Sequence, residues 1–136
     1  MMTGHITDGQ TELRLLGAAA FIGLIQLCWA STASQTQRGF AWAVGPRDES
    51  RPVHGVAARL QRAMVNFLET FPIFAAALLA AVMLGRTGGT TLAGAWLYVI
   101  ARALYVPFYA AGVPVMRSLL WIAALIGIVL ELVALL

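Results

Sequence analysis

Four long apolar stretches run along the chain, separated by polar or glycine- and proline-bearing breaks. The first extends from Leu13 to Ala30 and opens a span over about 13–32, just long enough to cross a hydrocarbon core of about 30 Å. The second runs from about Ala57 to Leu84, the third from about Thr90 to Ala111 and the fourth from about Val115 to Leu136. Between the first two lies a polar connection, residues 31–57, in which Gly45-Pro46 and Arg51-Pro52 break any helix. Gly85 to Gly89 makes a tight turn, and Gly112-Val113-Pro114 ends the third span. Pro72 and Pro107 fall inside spans and predict bends there, a defect that membrane helices tolerate when neighbours satisfy the freed carbonyl. The first stretch has a signal-peptide look, since Ser31-Thr32-Ala33 resembles a small-residue cleavage site. Its start, however, sets Asp8 and Glu12 against Arg14 where a signal peptide is basic, so a retained helix is expected. The pattern predicts an all-α integral membrane four-helix bundle, one domain over 1–136.

Polar residues interrupt the second and third spans at helical spacing. Arg59, Arg62, Asn66 and Glu69 follow one another at i, i+3, i+7 and i+10. At about 100° per residue they fall within an arc of roughly 80°. Tyr98, Arg102, Tyr105 and Tyr109, at i, i+4, i+7 and i+11, form a second one-sided stripe. Lipid offers such side chains no hydrogen-bond partner, so each stripe is expected to face another helix or a water-filled cavity. Arg102 sits near the middle of its span, where an uncompensated cation costs at least about 2.5 kcal/mol. It requires a partner, and Glu69 and Glu131 are the intramembrane acids on offer, so a structural ion pair between helices is one expectation. The tyrosines near the polar end also suit interfacial anchoring, but stripes on consecutive helices favour a shared pocket.

Composition sharpens the membrane reading. The 136 residues are 60% hydrophobic and 11% charged, with mean hydropathy +0.82. A soluble domain of this size does not cover so much apolar surface. The formal charge of +3 is accounted for by the loops of a membrane protein, and no nucleic-acid partner is expected. All nine basic residues are arginine, which points to a GC-rich bacterial genome and hence an inner membrane. Arg38, Arg47, Arg51, Arg59, Arg62 and Arg117 lie in or beside the first and third loops, against Arg14 and Arg86 on the other side. The positive-inside rule therefore puts the long first loop in the cytoplasm and both termini outside. The single cysteine, Cys28, lies in an apolar run. It forms no disulfide within the chain, carries no metal motif and reads as a small buried hydrophobe.

The side chains of the two stripes define a chemistry. Arg59, Arg62 and Arg117 offer forked donors suited to carboxylates. Asn66 offers a donor and an acceptor, Glu69 pairs an ammonium group, and Tyr105 and Tyr109 add hydroxyls. A small zwitterion with more than one carboxylate fits this inventory, beside a lipophilic small molecule arriving from the membrane lipids.

The segment Arg59-x-x-Arg62-x-x-x-Asn66-x-x-Glu69-x-x-Pro72-x-Phe74, followed by Ala101-Arg102-x-x-Tyr105-x-x-x-Tyr109, resembles the MAPEG family, the membrane-associated proteins of eicosanoid and glutathione metabolism. The resemblance covers nearly the whole chain. It implies a homotrimer of four-helix protomers, with glutathione as co-substrate bound between neighbouring subunits near the cytoplasmic face. Arg62, Asn66 and Glu69 match positions that bind glutathione in catalytic members, and Tyr105 and Tyr109 match positions lining the same pocket. Arg38, within Gln37-Arg38-Gly39-Phe40, resembles a first-loop arginine region that reaches glutathione from the adjacent subunit. Arg117-Ser118 resembles an arginine–serine pair near the thiol, where the arginine stabilises a thiolate as a fixed cation does.

This chain departs from the pattern at Gln37-Arg38, where some members carry consecutive arginines, and at Thr70, where some have tyrosine. The resemblance implies a glutathione-dependent transferase or peroxidase, with Arg117 catalytic, acting in detoxification on a lipophilic electrophile. A non-catalytic lipid- or glutathione-binding protein of the same fold is the alternative. A small multidrug-type exporter fits less well: its essential acid belongs to the first helix, and Leu13 to Ala30 contains none. Arginines beside Glu69 would also repel cationic drugs.

Overall fold

A computed structural model describes residues 9–136 and is helical throughout its spans. Five helices follow one another: α1 (Gln10–Arg38), α2 (Phe40–Val44), α3 (Gly55–Met83), α4 (Gly89–Ala110) and α5 (Pro114–Ala134). All but the short α2 are long and apolar enough to cross a membrane. Pro72 and Pro107 lie within α3 and α4, each of which continues as one helix through its proline. Asp8 lies outside the described residues.

The helices are unequal, and the inequality places the site. α1 and α3 each have 29 residues, whereas α4 has 22 and α5 has 21. At one end the four are aligned. There the Thr91 hydroxyl, which accepts from the Gly88 amide at 2.8 Å, donates to the Glu12 carboxylate at 2.9 Å. The surplus of α1 and α3 therefore projects at the other end, by about 1.5 Å per extra residue.

The sequence suggested that the chain leaves the first span near residue 32, but α1 runs on to Arg38. Its polar last turns satisfy themselves: Ser34 Oγ donates to the Ala30 carbonyl at 2.8 Å and Thr36 Oγ1 to that of Ala33 at 2.7 Å. Gly39, with φ 90, ends the helix in a conformation that side chains rarely adopt. α2 and the following loop fold back onto the end of α1. Gln37 exchanges two hydrogen bonds with the backbone of His54, both 2.9 Å. Arg38 Nε donates to the Arg51 carbonyl at 2.6 Å and Arg51 Nη1 to the Arg38 carbonyl at 2.9 Å.

The core lies between α1, α3, α4 and α5, around Leu15, Ala19, Phe74, Leu78, Tyr98 and Ile128. Phe74 and Tyr98 stack with centroids 4.0 Å apart, and the Tyr98 hydroxyl lies 3.0 Å from Thr70 Oγ1. A buried phenol thereby finds the partner that lipid denies it. Small residues let the helices approach. A Cβ on Gly94 would stand 2.8 Å from the Gly127 carbonyl oxygen, and one on Gly127 would stand 2.7 Å from that of Gly94. This is the close backbone contact of membrane helices, where dispersion replaces the hydrophobic effect as the cohesive force.

Two expectations from sequence are corrected. Arg102 does not pair with an acid among the described residues. Glu131 lies against Gly94, eight residues and so about 12 Å along α4 from Arg102, while Arg102 Nη1 donates to Asn66 Oδ1 at 2.7 Å. Nor is Cys28 buried: it is exposed on α1. The packed line of that helix is Leu15, Ala19, Gly23, Gln26 and Ala30, and Cys28 falls off it.

Because the Gly94–Gly127 contact is backbone to backbone, neither helix can yield by turning a side chain. Gly127→Ala is expected to lower stability by about 1–3 kcal/mol. Thermal unfolding in detergent tests this, with Gly17→Ala, where a Cβ meets nothing within 4 Å, as the neutral control.

Candidate functional site

α3, from Ala58 to Glu69, walls a cavity of about 1060 Å³, which Arg38 at the end of α1, the loop after α2 and the near ends of α4 and α5 complete. α3 contributes Arg62, Asn66 and Glu69, which share a face because they recur at i, i+4 and i+7. α4 contributes Tyr105 and Tyr109, and α5 contributes Arg117, Ser118 and Trp121. Arg38 lines the same cavity from the end of α1. The cavity of a single protomer thus gathers Arg38, Arg62, Asn66, Glu69, Tyr105, Tyr109, Arg117 and Ser118, every candidate ligand-binding residue except Arg59, while Tyr98 and Arg102 of the second stripe lie outside it.

Tyr109 is the hub of this group. Arg62 Nε donates to its hydroxyl at 3.2 Å, leaving the phenol proton for another acceptor. The Arg62 and Arg117 guanidiniums lie 6.0 Å and 4.9 Å from the Tyr109 ring centre, within cation–π range. Tyr105 meets the same ring edge-on, with centroids 5.5 Å apart. The Arg117 guanidinium forms no hydrogen bond among the described residues, so its donors are available. Ser118 is different: its hydroxyl donates to the Pro114 carbonyl at 3.1 Å and presents the cavity with lone pairs.

Arg59 is the residue set apart. Its Nε donates to the carbonyl of Ala110 at 2.9 Å, so it caps the end of α4, and it does not line the cavity. A helix end leaves carbonyls without intrahelical partners, and an arginine there also suits the helix dipole.

The first loop, a polar connection in the sequence, adds a rim to the cavity. Arg38 and Arg47 lie over the Trp42 ring at 4.8 Å and 5.6 Å. Trp42 Nε1 donates to the Glu49 carbonyl at 2.7 Å, and Glu49 pairs with Arg51 at 2.9 Å. One signal was present in the chain: Trp42 is a large aromatic inside a polar connection, although Phe40 and Val44 on either side of it stay exposed. Around the cavity Arg38, Arg47, Arg51, Arg62 and Arg117 stand against Asp48, Glu49 and Glu69, five positive charges to three negative. An anion bearing several carboxylates is favoured there, with Glu69 left to receive a cationic group.

The separate place of Arg59 has a measurable consequence. Arg59→Ala is expected to lower stability by about 1 kcal/mol through the uncapped α4 carbonyl, while ligand affinity in the cavity stays within about twofold, a change under 0.5 kcal/mol. Unfolding and binding assays on the same purified protein check both.

The sequence profile of the MAPEG family matches residues 15–136. No curated protein matches, and no solved structure does. The matched region contains almost all of the membrane-crossing segments and every residue placed around the cavity. With a match over nearly its whole length, the chain belongs to the MAPEG family.

Proposed function

We propose that the protein is a membrane-bound, glutathione-dependent transferase or peroxidase that activates glutathione as its thiolate for attack on a lipophilic electrophile. The observation that carries this reading is the convergence of Arg62, Asn66 and Glu69 with Tyr105, Tyr109 and Arg117 on one cavity. Glutathione has carboxylates, an ammonium group and a thiol. Arginine forks match the carboxylates, Glu69 matches the ammonium group, and Arg117 brings an uncommitted cation to the thiol.

In this reading the cavity binds and orients the tripeptide, and the arginine field lowers the thiol pKa so that the proton leaves to solvent through the polar mouth. The thiolate sulfur then forms a bond to an electrophilic carbon, and either a leaving group departs with the electron pair of its own bond or, in an addition, that pair moves to a neighbouring atom, which takes a proton from solvent. Arg117 stabilises the sulfur anion up to that point. Trp121 and Val65 give the cavity an apolar side, which suits a substrate delivered from lipid.

The same reading extends to the assembly and its surroundings. Arg62 and Glu69 are exposed in the isolated protomer although they line the cavity. Large apolar side chains such as Phe21, Leu68 and Ile73 are exposed as well. A homotrimer in which a neighbour closes the cavity accounts for both. The arginine-rich cavity end faces the cytoplasm and the termini face outward across a bacterial inner membrane, in keeping with the positive-inside rule.

The test is calorimetry with glutathione on detergent-purified protein, read together with ultraviolet absorbance of the thiolate. Binding with a thiolate signal is expected. Binding without it favours a non-catalytic carrier, and no binding at millimolar glutathione sinks the glutathione assignment. Arg117→Ala is expected to reduce turnover by about 10²–10³-fold with glutathione affinity largely kept, because its donors act on developing charge rather than on carboxylates. Unchanged turnover removes Arg117 from the mechanism.

A further inference from the structure

Arg102 is fully buried, and only one of its donors is used. Nη1 donates to Asn66 Oδ1 at 2.7 Å, while Nε and Nη2 have no hydrogen-bond partner among the described residues. The guanidinium packs 4.3 Å from the Tyr105 ring centre and 5.5 Å from that of Phe67, so aromatic faces supply the rest of its stabilisation. Arg102 does not line the cavity, whereas Asn66 and Tyr105 do.

The direction of that hydrogen bond is forced. Guanidinium nitrogens donate and never accept, so the Asn66 atom facing Arg102 must be its oxygen. The amide is planar, and fixing Oδ1 fixes Nδ2 on the opposite side. Nδ2 forms no hydrogen bond among the described residues. The amide that sequence alone left as donor or acceptor is thereby reduced to a donor.

We infer that Arg102 is a positioning residue that locks the Asn66 amide with its NH₂ group toward the ligand, making this point of the cavity selective for a carbonyl or carboxylate oxygen. The inference rests on the glutathione reading for the identity of the ligand, but not for the orientation of the amide. Its logic is that of a preorganised donor: the rotamer is set before the ligand arrives, so no binding free energy goes into choosing it. Tyr105 takes part by holding the guanidinium in place, since its ring is the nearest face to the cation.

The discriminating variant is Asn66→Asp. A carboxylate at this position gives buried Arg102 an ionic partner and removes the NH₂ donor. Its melting temperature in detergent is expected to equal or exceed that of the native protein, while glutathione affinity falls about tenfold or more, the size of a hydrogen bond to a charged group. A merely structural role moves stability and affinity in the same direction. Arg102→Met frees the amide to rotate, so KM for glutathione should rise about tenfold with a smaller change in kcat, as for a lost charged hydrogen bond. Arg102→Lys, which keeps a donor, should restore part of the loss. In an Asn66→Ala background, Arg102→Met should cost little further affinity.

Unchanged glutathione affinity in Asn66→Asp, or joint loss of stability and affinity, overturns the inference. If the native protein binds no glutathione, the functional reading fails first. A melting temperature of Asn66→Asp below that of the native protein would then overturn the orientation as well, and one at or above it would uphold it.

Discussion

Hydrocarbon forms no hydrogen bonds, and the interior of this bundle is arranged around that constraint. Each polar group that enters the membrane segment must be met by another part of the chain or by a water-filled space. Tyr98 meets Thr70, Glu12 meets Thr91, and Arg102 meets Asn66 and two aromatic faces. Glu131 departs from the rule: its side chain is fully buried and neither carboxylate oxygen has a hydrogen-bond partner among the described residues.

Helix length then decides where the cavity forms. α1 and α3 are each at least seven residues longer than α4 and α5, and the four are aligned at the far end. Their surplus turns stand beyond the close-packed section, carrying Arg38 and the start of the α3 stripe. The first loop, bound back through Gln37–His54 and Arg38–Arg51, turns that open end into a rim.

Periodicity made the spans and both stripes legible in the sequence, because lipid penalises any helix whose polar residues are scattered around it. Arg62, Asn66, Glu69, Tyr105 and Tyr109 could be grouped on that ground alone. The pairings could not. Whether Arg102 reaches Asn66 or an acid depends on how far α3 is shifted along α4, and Arg59 shares the stripe's angle yet meets the end of α4 instead. The continuation of α1 to Arg38 was hidden for another reason: serine and threonine signal loops in water-soluble chains, but here their hydroxyls bond to carbonyls one turn back. Trp42 and the charged rim around it depend on the path of a loop, which carries no periodic signature.

The glycine contact between α4 and α5 has a mechanical meaning. Backbones that touch at Gly94 and Gly127 cannot slide without collision, so the two helices behave as one stiff hairpin. Tyr105, Tyr109 and Arg117 all ride on that hairpin. Arg62, Asn66 and Glu69 ride on α3, which Phe67 seats against Gly23 of α1 and which Thr70–Tyr98 and Asn66–Arg102 tie to the hairpin. The hairpin carries one wall of the cavity and α3 the other, and the contacts that tie them, Arg62–Tyr109 and Arg102–Asn66 among them, set the distance between the two walls before any ligand arrives.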